Sequence, residues 1–264
     1  MGTKKITKVG GETTAQTSTS SGNATFVPTA ESKGKATQLR LFAGLLWVGA
    51  IVAQVVAIVL LRKQIENFMA WVIGLIIVDL VLAIIGSMLW KKSNRLDPAS
   101  EKNSFLFFMQ SQLGVVVAVI AFLPLIIFIL TNKNISGKQK AILGGIAGLA
   151  LAIAGISSAD FNPPSVEQYT EQTKQVEELN GGNNHVFWTK SGKSYHLFQD
   201  CGYINSDRTT EIFEGTVAQA RELKNITDLC DRCESRAEKV NQTKTVPEGG
   251  FDVIDAAKKL DSVK

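Results

Sequence analysis

The sequence predicts an α-helical integral membrane region of four spans followed by a small α+β module, and three observations carry that prediction. The hydrophobic residues of the 264-residue chain gather into four runs between residues 41 and 158. Polar, glycine- and proline-bearing stretches separate these runs from the sequence on either side. All three cysteines and both histidines lie beyond the last run.

The four runs are Leu41–Leu61, Phe68–Trp90, Phe105–Leu130 and Ala141–Ser158. A helix rises 1.5 Å per residue, so roughly 20 apolar residues cross a ~30 Å hydrocarbon layer, and each run approaches that length. One such helix fits inside a large soluble protein; four in succession, each bordered by Lys or Arg, read as membrane spans. The first run starts after 40 residues of polar sequence, too late for a secretory signal. Eight flanking Lys and Arg lie on the side that carries both termini and the second loop, against five on the other. That bias places both termini in the cytoplasm, with a multi-pass location in the cell membrane and the lipid bilayer as first partner.

Residues 1–38 are rich in Thr, Ser, Gly and Lys and read as a disordered polar tail, because they lack the apolar surface to offset chain entropy. Residues 39–160 form the transmembrane domain, and Pro163 and Pro164 mark its exit. Residues 161–184 read as a helical stalk with a weak stripe of Val166, Tyr169, Val176 and Leu179. The run Asn180-Gly181-Gly182-Asn183-Asn184 then ends it as a flexible linker. Residues 185–240 read as the compact module. VFWT and SYHL form a hairpin around Ser191-Gly192-Lys193, and TTEIF forms another strand. Thr216 then caps the helix VAQARELK, with Gln219 as its capping-box partner. The expected core is Val186, Phe187, Trp188, Tyr195, Leu197, Ile212, Phe213, Val217, Ala220 and Leu223. Residues 241–264 read as a tail in which Phe251–Lys264 suits a short helix or frayed chain equally.

Cys230-Asp231-Arg232-Cys233 is a C-x2-C knuckle, a spacing that lets two thiolates of one tight turn point at one ion. A structural zinc site wants four ligands. The other soft or imidazole groups of the module are His185, His196 and Cys201, and the His196-x4-Cys201 pair closes from the end of the hairpin. The reading is a Cys3His site of His196, Cys201, Cys230 and Cys233 that holds a structural zinc. Three other readings stand beside it. The cysteines can be buried small hydrophobes; two of them can pair as a disulfide; one can act as a nucleophile beside His196. Three cysteines leave one unpaired, and no βαβ pattern surrounds the C-x2-C as in a redox motif. A module of about 55 residues has a thin core, and domains of that size often rely on a metal.

The run WTKSGKSYHLFQDCGYI, followed by EGTVAQARELK and LCDRC, resembles a small bacterial Cys/His zinc-binding module. In that family a strand ending in Tyr-His precedes a Cys, a helix follows, and a Cys-x2-Cys closes the site. It is found appended to nucleases and to membrane proteins. The resemblance covers about residues 186–234 and implies metal binding through His196, Cys201, Cys230 and Cys233, without implying any one activity. Across residues 186–240 eight basic residues meet nine acidic ones, so there is no basic footprint and nucleic acid is not an expected partner.

Inside the spans, Asp79 is twelfth in the second run, at bilayer mid-depth, where an ionised carboxylate costs at least ~2.5 kcal/mol. Gln54 of the first span lies at similar depth and is its expected hydrogen-bond partner. The pair reads either as a proton or cation site or as a neutral Asp that glues two helices. Pro124 frees the carbonyl of Ile120 in the third span. Gly144, Gly148 and Ala152 form a small-residue stripe on the fourth, suited to packing against a sister span or a second copy of the chain. The expected function is a membrane-anchored binding or sensing protein with a structural zinc module in the cytoplasm and no catalytic constellation. A small transporter or channel accessory that uses Asp79, and a membrane-tethered cysteine enzyme, are the alternatives.

Overall fold

The structure, a computed structural model, describes residues 5–9, 25–224 and 226–245. Residues 10–24 of the expected polar tail and the segment Phe251–Lys264 lie outside them. The chain divides into two compact units, one within residues 14–171 and the other built from an N-terminal strand and the chain from residue 172 onward.

The first unit is a helical bundle of α1 (Ala30–Lys63), α2 (Phe68–Leu96), α3 (Ser104–Thr131) and α4 (Gly137–Ser158). All four are long and apolar enough to cross a membrane. Each overshoots its apolar run, and the reason lies at the ends. α1 begins inside the segment read as disordered because the Thr29 side chain accepts from Ser32 N–H at 3.1 Å and Glu31 pairs with Lys35 at 2.6 Å one turn on. α4 starts early on a capping box: Gln139 Oε1 accepts from Ser136 N–H at 2.9 Å, and Ser136 Oγ accepts from Gln139 N–H at 3.3 Å. α1 stops at Gln64, whose backbone is left-handed and donates to Leu60 O at 3.0 Å. Asn67, also left-handed, starts α2 three residues later. α3 continues as one helix through Pro124.

Small side chains fill the seams of the bundle. Ala43, Ala50 and Ala57 of α1, Ala83 of α2, Ala118 and Ala121 of α3, and Ala147, Ala150 and Ala154 of α4 are all buried. Phe42, Trp71, Met88, Phe105 and Leu149 are exposed, as expected of side chains that face hydrocarbon. Gly86 is the closest approach. A Cβ there would lie 2.6 Å from Trp47 Nε1 and 3.3 Å from the Ala43 carbonyl. On α4 the face that packs against the bundle is Leu143, Ala147, Ala150 and Ala154. The predicted Gly144/Gly148/Ala152 stripe lies beside it. Ala152 is exposed, Gly148 has no neighbour within 4 Å of a Cβ position, and Gly144 alone meets Leu130, at 3.4 Å.

One end of the bundle is tied together by polar groups. Arg40 donates to Asp97 Oδ2 at 2.8 Å and to the Asp97 carbonyl at 2.9 Å. Lys91 Nζ donates to the carbonyls of Ser157 and Ala159 at 2.8 and 2.7 Å. Trp90 Nε1 and Asn94 Nδ2 both donate to the Gln110 carbonyl. Gln112 bonds both backbone groups of Asp160. This is the end that carries the start of α1, the α2–α3 loop and the end of α4. Helix α5 (Val166–Leu179) begins here, where Ser165 bridges Ala99 and Glu167 accepts from the Ser100 hydroxyl at 2.5 Å and from Glu101 N–H at 2.8 Å.

The second unit holds two small sheets and two further helices. β1 (Lys5–Lys8), β4 (Glu211–Gly215) and β2 (Val186–Thr189) form one sheet in the order β1-β4-β2, with β1 parallel and β2 antiparallel to β4. β3 (Ser194–Tyr195) and β5 (Asp228–Leu229) form the other, in parallel. α6 (Val217–Lys224) carries the expected capping box, with Gln219 Oε1 accepting from Thr216 N–H at 2.8 Å. α7 (Asp231–Thr245) follows the C-x2-C knuckle. β1 lies in the segment read as a disordered tail. The expected hairpin is reduced to one pair, Phe187 and His196, which exchange backbone hydrogen bonds of 2.8 and 2.7 Å.

Val186, Trp188, Tyr195, Leu197, Ile212, Val217 and Ala220 form the core as expected, joined by Ile204, Ile226, Leu229 and Ala237. Phe187 and Phe213 are partly buried, and Leu223, assigned to the core from sequence, is 53 % exposed. The expected helix of the stalk forms as α5. Val176 of α5 is buried in this core, and Gln172 Nε2 donates to the Thr227 carbonyl at 2.7 Å. The Gly/Asn stretch is a bonded turn rather than a free joint. Gly181 and Gly182 take positive φ angles that favour glycine, Gly182 N–H donates to the Glu177 carbonyl at 2.7 Å, and Asn184 Oδ1 accepts from Val217 N–H at 3.0 Å.

Candidate metal centre

The chain brings four ligand-bearing residues together through one short parallel ladder. β3 ends in Tyr195 and the next residue is His196; β5 ends in Leu229 and the next is Cys230. Because Tyr195 pairs with Leu229, the two ligands emerge side by side, and Cys230 N–H donates to the Tyr195 carbonyl at 3.0 Å. The Phe187 pair holds the His196 backbone from its other side. Cys201 sits in a tight turn, its N–H donating to the Phe198 carbonyl at 3.1 Å while its own carbonyl accepts from Ile204 and Asn205. Cys233 lies in the first turn of α7, its N–H donating to the Cys230 carbonyl at 2.8 Å. A helix N-terminus favours a thiolate.

The ligand atoms of His196, Cys201, Cys230 and Cys233 all lie within 4.8 Å of one another, and all four residues are buried. Cys233 Sγ is 3.6 Å from His196 Nδ1. Tetrahedral zinc with Zn–S of ~2.3 Å and Zn–N of ~2.05 Å sets an S···N edge of about 3.6 Å, which this pair matches. The cysteines are free thiols rather than a disulfide. His185, the remaining candidate ligand, is elsewhere: its Nε2 lies 3.0 Å from Glu214 Oε1.

The electrostatics suit a cation. Burial pushes the His196 imidazole down to about 4, which keeps it neutral with a lone pair free near neutral pH. Burial pushes the Cys233 thiol up to about 12, against backbone N–H donation from Phe198 and Leu197 toward its sulfur. Buried thiolates without a counter-charge are costly; a divalent ion reverses that preference and receives the same N–H-supported sulfur as a ligand. These four side chains can therefore bind a metal ion. At the rim, Arg236 donates to Asp200 at 2.8 Å and stacks 4.2 Å over Phe198, joining α7 to the loop between His196 and Cys201.

Sequence reasoning missed one neighbour of this site. Arg221 is one of the eight basic residues in the charge balance of the module, yet it is fully buried beside Tyr195. The signal was present: Arg221 stands four residues after Val217, on the same face of α6. Tyr195, which immediately precedes His196, is pushed up to about 12 by burial, with the Arg221 guanidinium opposing.

In the bundle, Asp79 is 1 % exposed and Gln54 is 4 % exposed. The contacts of Trp47 with Gly86 and of Gly49 with Leu82 set an antiparallel register that brings residue 54 level with residue 79. The expected hydrogen bond between them is not formed: among the described residues, both Asp79 oxygens and Gln54 Nε2 lack a partner. A search of protein-family models, of curated proteins and of solved structures finds no match to this chain.

Proposed function

We propose that the chain is a membrane-anchored binding or sensing protein whose C-terminal module folds around a structural zinc ion held by His196, Cys201, Cys230 and Cys233. The observation that carries this reading is the convergence of the four buried donors within 4.8 Å of one another. Four protein ligands fill the coordination sphere and leave no position for a reacting water, so the ion holds shape. The module presents its surfaces on the cytoplasmic face, where reduced thiols persist and where the flanking positive charges direct both ends of the chain. Four crossings would return the chain to its starting side, and the pairing of β1 with β4 supports that return. A cysteine nucleophile fits less well, because all three thiols are buried. Elemental analysis of the purified protein, expected to give one zinc per chain, tests the metal. Labelling of Cys201 from each side of sealed vesicles after chelation tests the orientation. A metal-free protein with a protease-resistant module would end the reading.

A second reading, a small transporter or channel accessory, draws on Asp79. A buried carboxylate with neither oxygen bonded among the described residues, level with an unbonded Gln54 Nε2, is the arrangement expected of a group that meets an ion or proton. Asp79→Asn is expected to abolish proton-coupled or cation flux in proteoliposomes if this reading holds. Unchanged flux with altered helix association leaves Asp79 as glue between α1 and α2.

A further inference from the structure

Without β1, β4 would be an edge strand, since β2 covers only its other side. An open edge presents unpaired N–H and C=O groups that template another strand. Here the cover comes from far away in the sequence. β1 sets Lys5 beside Glu211 and Lys8 beside Glu214. Their ammonium groups lie 3.1 and 3.6 Å from the carboxylates. The Thr7 hydroxyl donates to Glu211 Oε1 at 2.5 Å, and Val9 N–H donates to the Glu214 carbonyl at 2.9 Å while its side chain packs on the module core. Successive side chains alternate across a strand, so the two ion pairs stand on opposite faces and a slip of one residue breaks both.

The cover is also lightly held. β1 is four residues long, none of its side chains is buried, and exposed ion pairs are individually weak. A short, charge-matched strand laid on a sheet edge is the way many domains capture extended peptides, with main-chain bonds giving affinity and side chains giving selection.

We propose that the outer edge of β4 is a docking site for an extended protein segment carrying two lysines three positions apart with an aliphatic residue between them, and that Lys5–Val9 occupies it as a built-in competitor. Glu211 and Glu214 select the lysines, and the incoming strand replaces Lys5–Val9 in the same register. This deepens the reading of the module as a binding device and does not depend on the metal.

The test uses the whole chain in nanodiscs, intact or lacking residues 2–13, with a labelled peptide of residues 4–9 as probe. Removing a tethered competitor is expected to tighten peptide binding by about tenfold or more, because the tether gives it a high effective concentration. A peptide with Lys5 and Lys8 changed to Glu is expected to bind at least about tenfold more weakly, and added salt to weaken the native peptide. By hydrogen exchange, the amides of Glu211–Gly215 are expected to lose protection on shortening and to regain it with peptide, while those of Val186–Thr189 stay protected. Equal peptide binding by the intact and shortened chains, or none by a shortened chain with Val186–Thr189 still protected, overturns the proposal. If shortening unfolds the module, the full chain with Lys5→Glu and Lys8→Glu replaces it; unchanged protection of Glu211–Gly215 and unchanged peptide affinity in that variant overturn the proposal equally. Metal content measured on the same samples distinguishes this failure from failure of the zinc reading.

Discussion

In the bundle, alanines and glycines meet between helices while Phe42, Trp71 and Leu149 turn outward; in the module, Trp188, Tyr195 and Leu197 turn inward and enclose three cysteines and a histidine. The first arrangement suits a solvent as apolar as the side chains themselves, where association depends on how closely backbones approach. The second suits water, where a core this thin gains little from burial and the proposed ion would supply what is missing. The same chain thus uses two separate sources of stability, and each can be removed while the other is watched.

Cys230→Ser is the largest lever. Structural zinc supplies on the order of 10 kcal/mol in small domains, comparable to the whole stability of such a fold. The variant is expected to lose metal and become protease-sensitive beyond residue 172, while far-UV circular dichroism retains the signal of α1–α4. Loss of both units together would break the comparison. Gly86→Val tests the opposite side. Its side chain would enter the space of Trp47 and is expected to cost about 1–3 kcal/mol of α1–α2 association, read by unfolding in detergent, with zinc content unchanged. Thr216→Val removes half of the α6 capping box and is expected to cost about 1 kcal/mol in chelator-driven or thermal unfolding of the module alone. Gly148→Ala should be the mildest. Open space surrounds the new methyl, so the expected change is a gain of up to about 1 kcal/mol from helix propensity. A marked loss in that variant would place a second copy of the chain against the stripe.

The two regions also differ in how plainly they could be read. Runs of twenty apolar residues announce their helices, and the error lay only at the ends, where Thr29 and Ser136 cap earlier than hydropathy suggests. The four ligands were legible because the chain holds so few imidazoles and thiols. Their convergence was not, since it depends on β3 and β5, two residues each and below any periodic signal. α7 escaped for another reason: it is a polar helix that buries little beyond Cys233 and Ala237. β1 escaped because four residues in a Thr- and Lys-rich stretch resemble any solvated chain until their partner strand is known. Asp79 was found, but the partner assumed for it was supplied by depth alone, and similar depth does not make a hydrogen bond.

The separation of 204 positions between Thr7 and Glu211 bears on biogenesis. A ribosome makes Lys5–Val9 before any of α1–α4, yet their place on β4 exists only once those helices have been made and the module has emerged. A nascent chain stalled in between leaves that short basic strand unattached. Its capture therefore marks the end of assembly, and an antibody to residues 4–9 would distinguish half-made chains from finished ones.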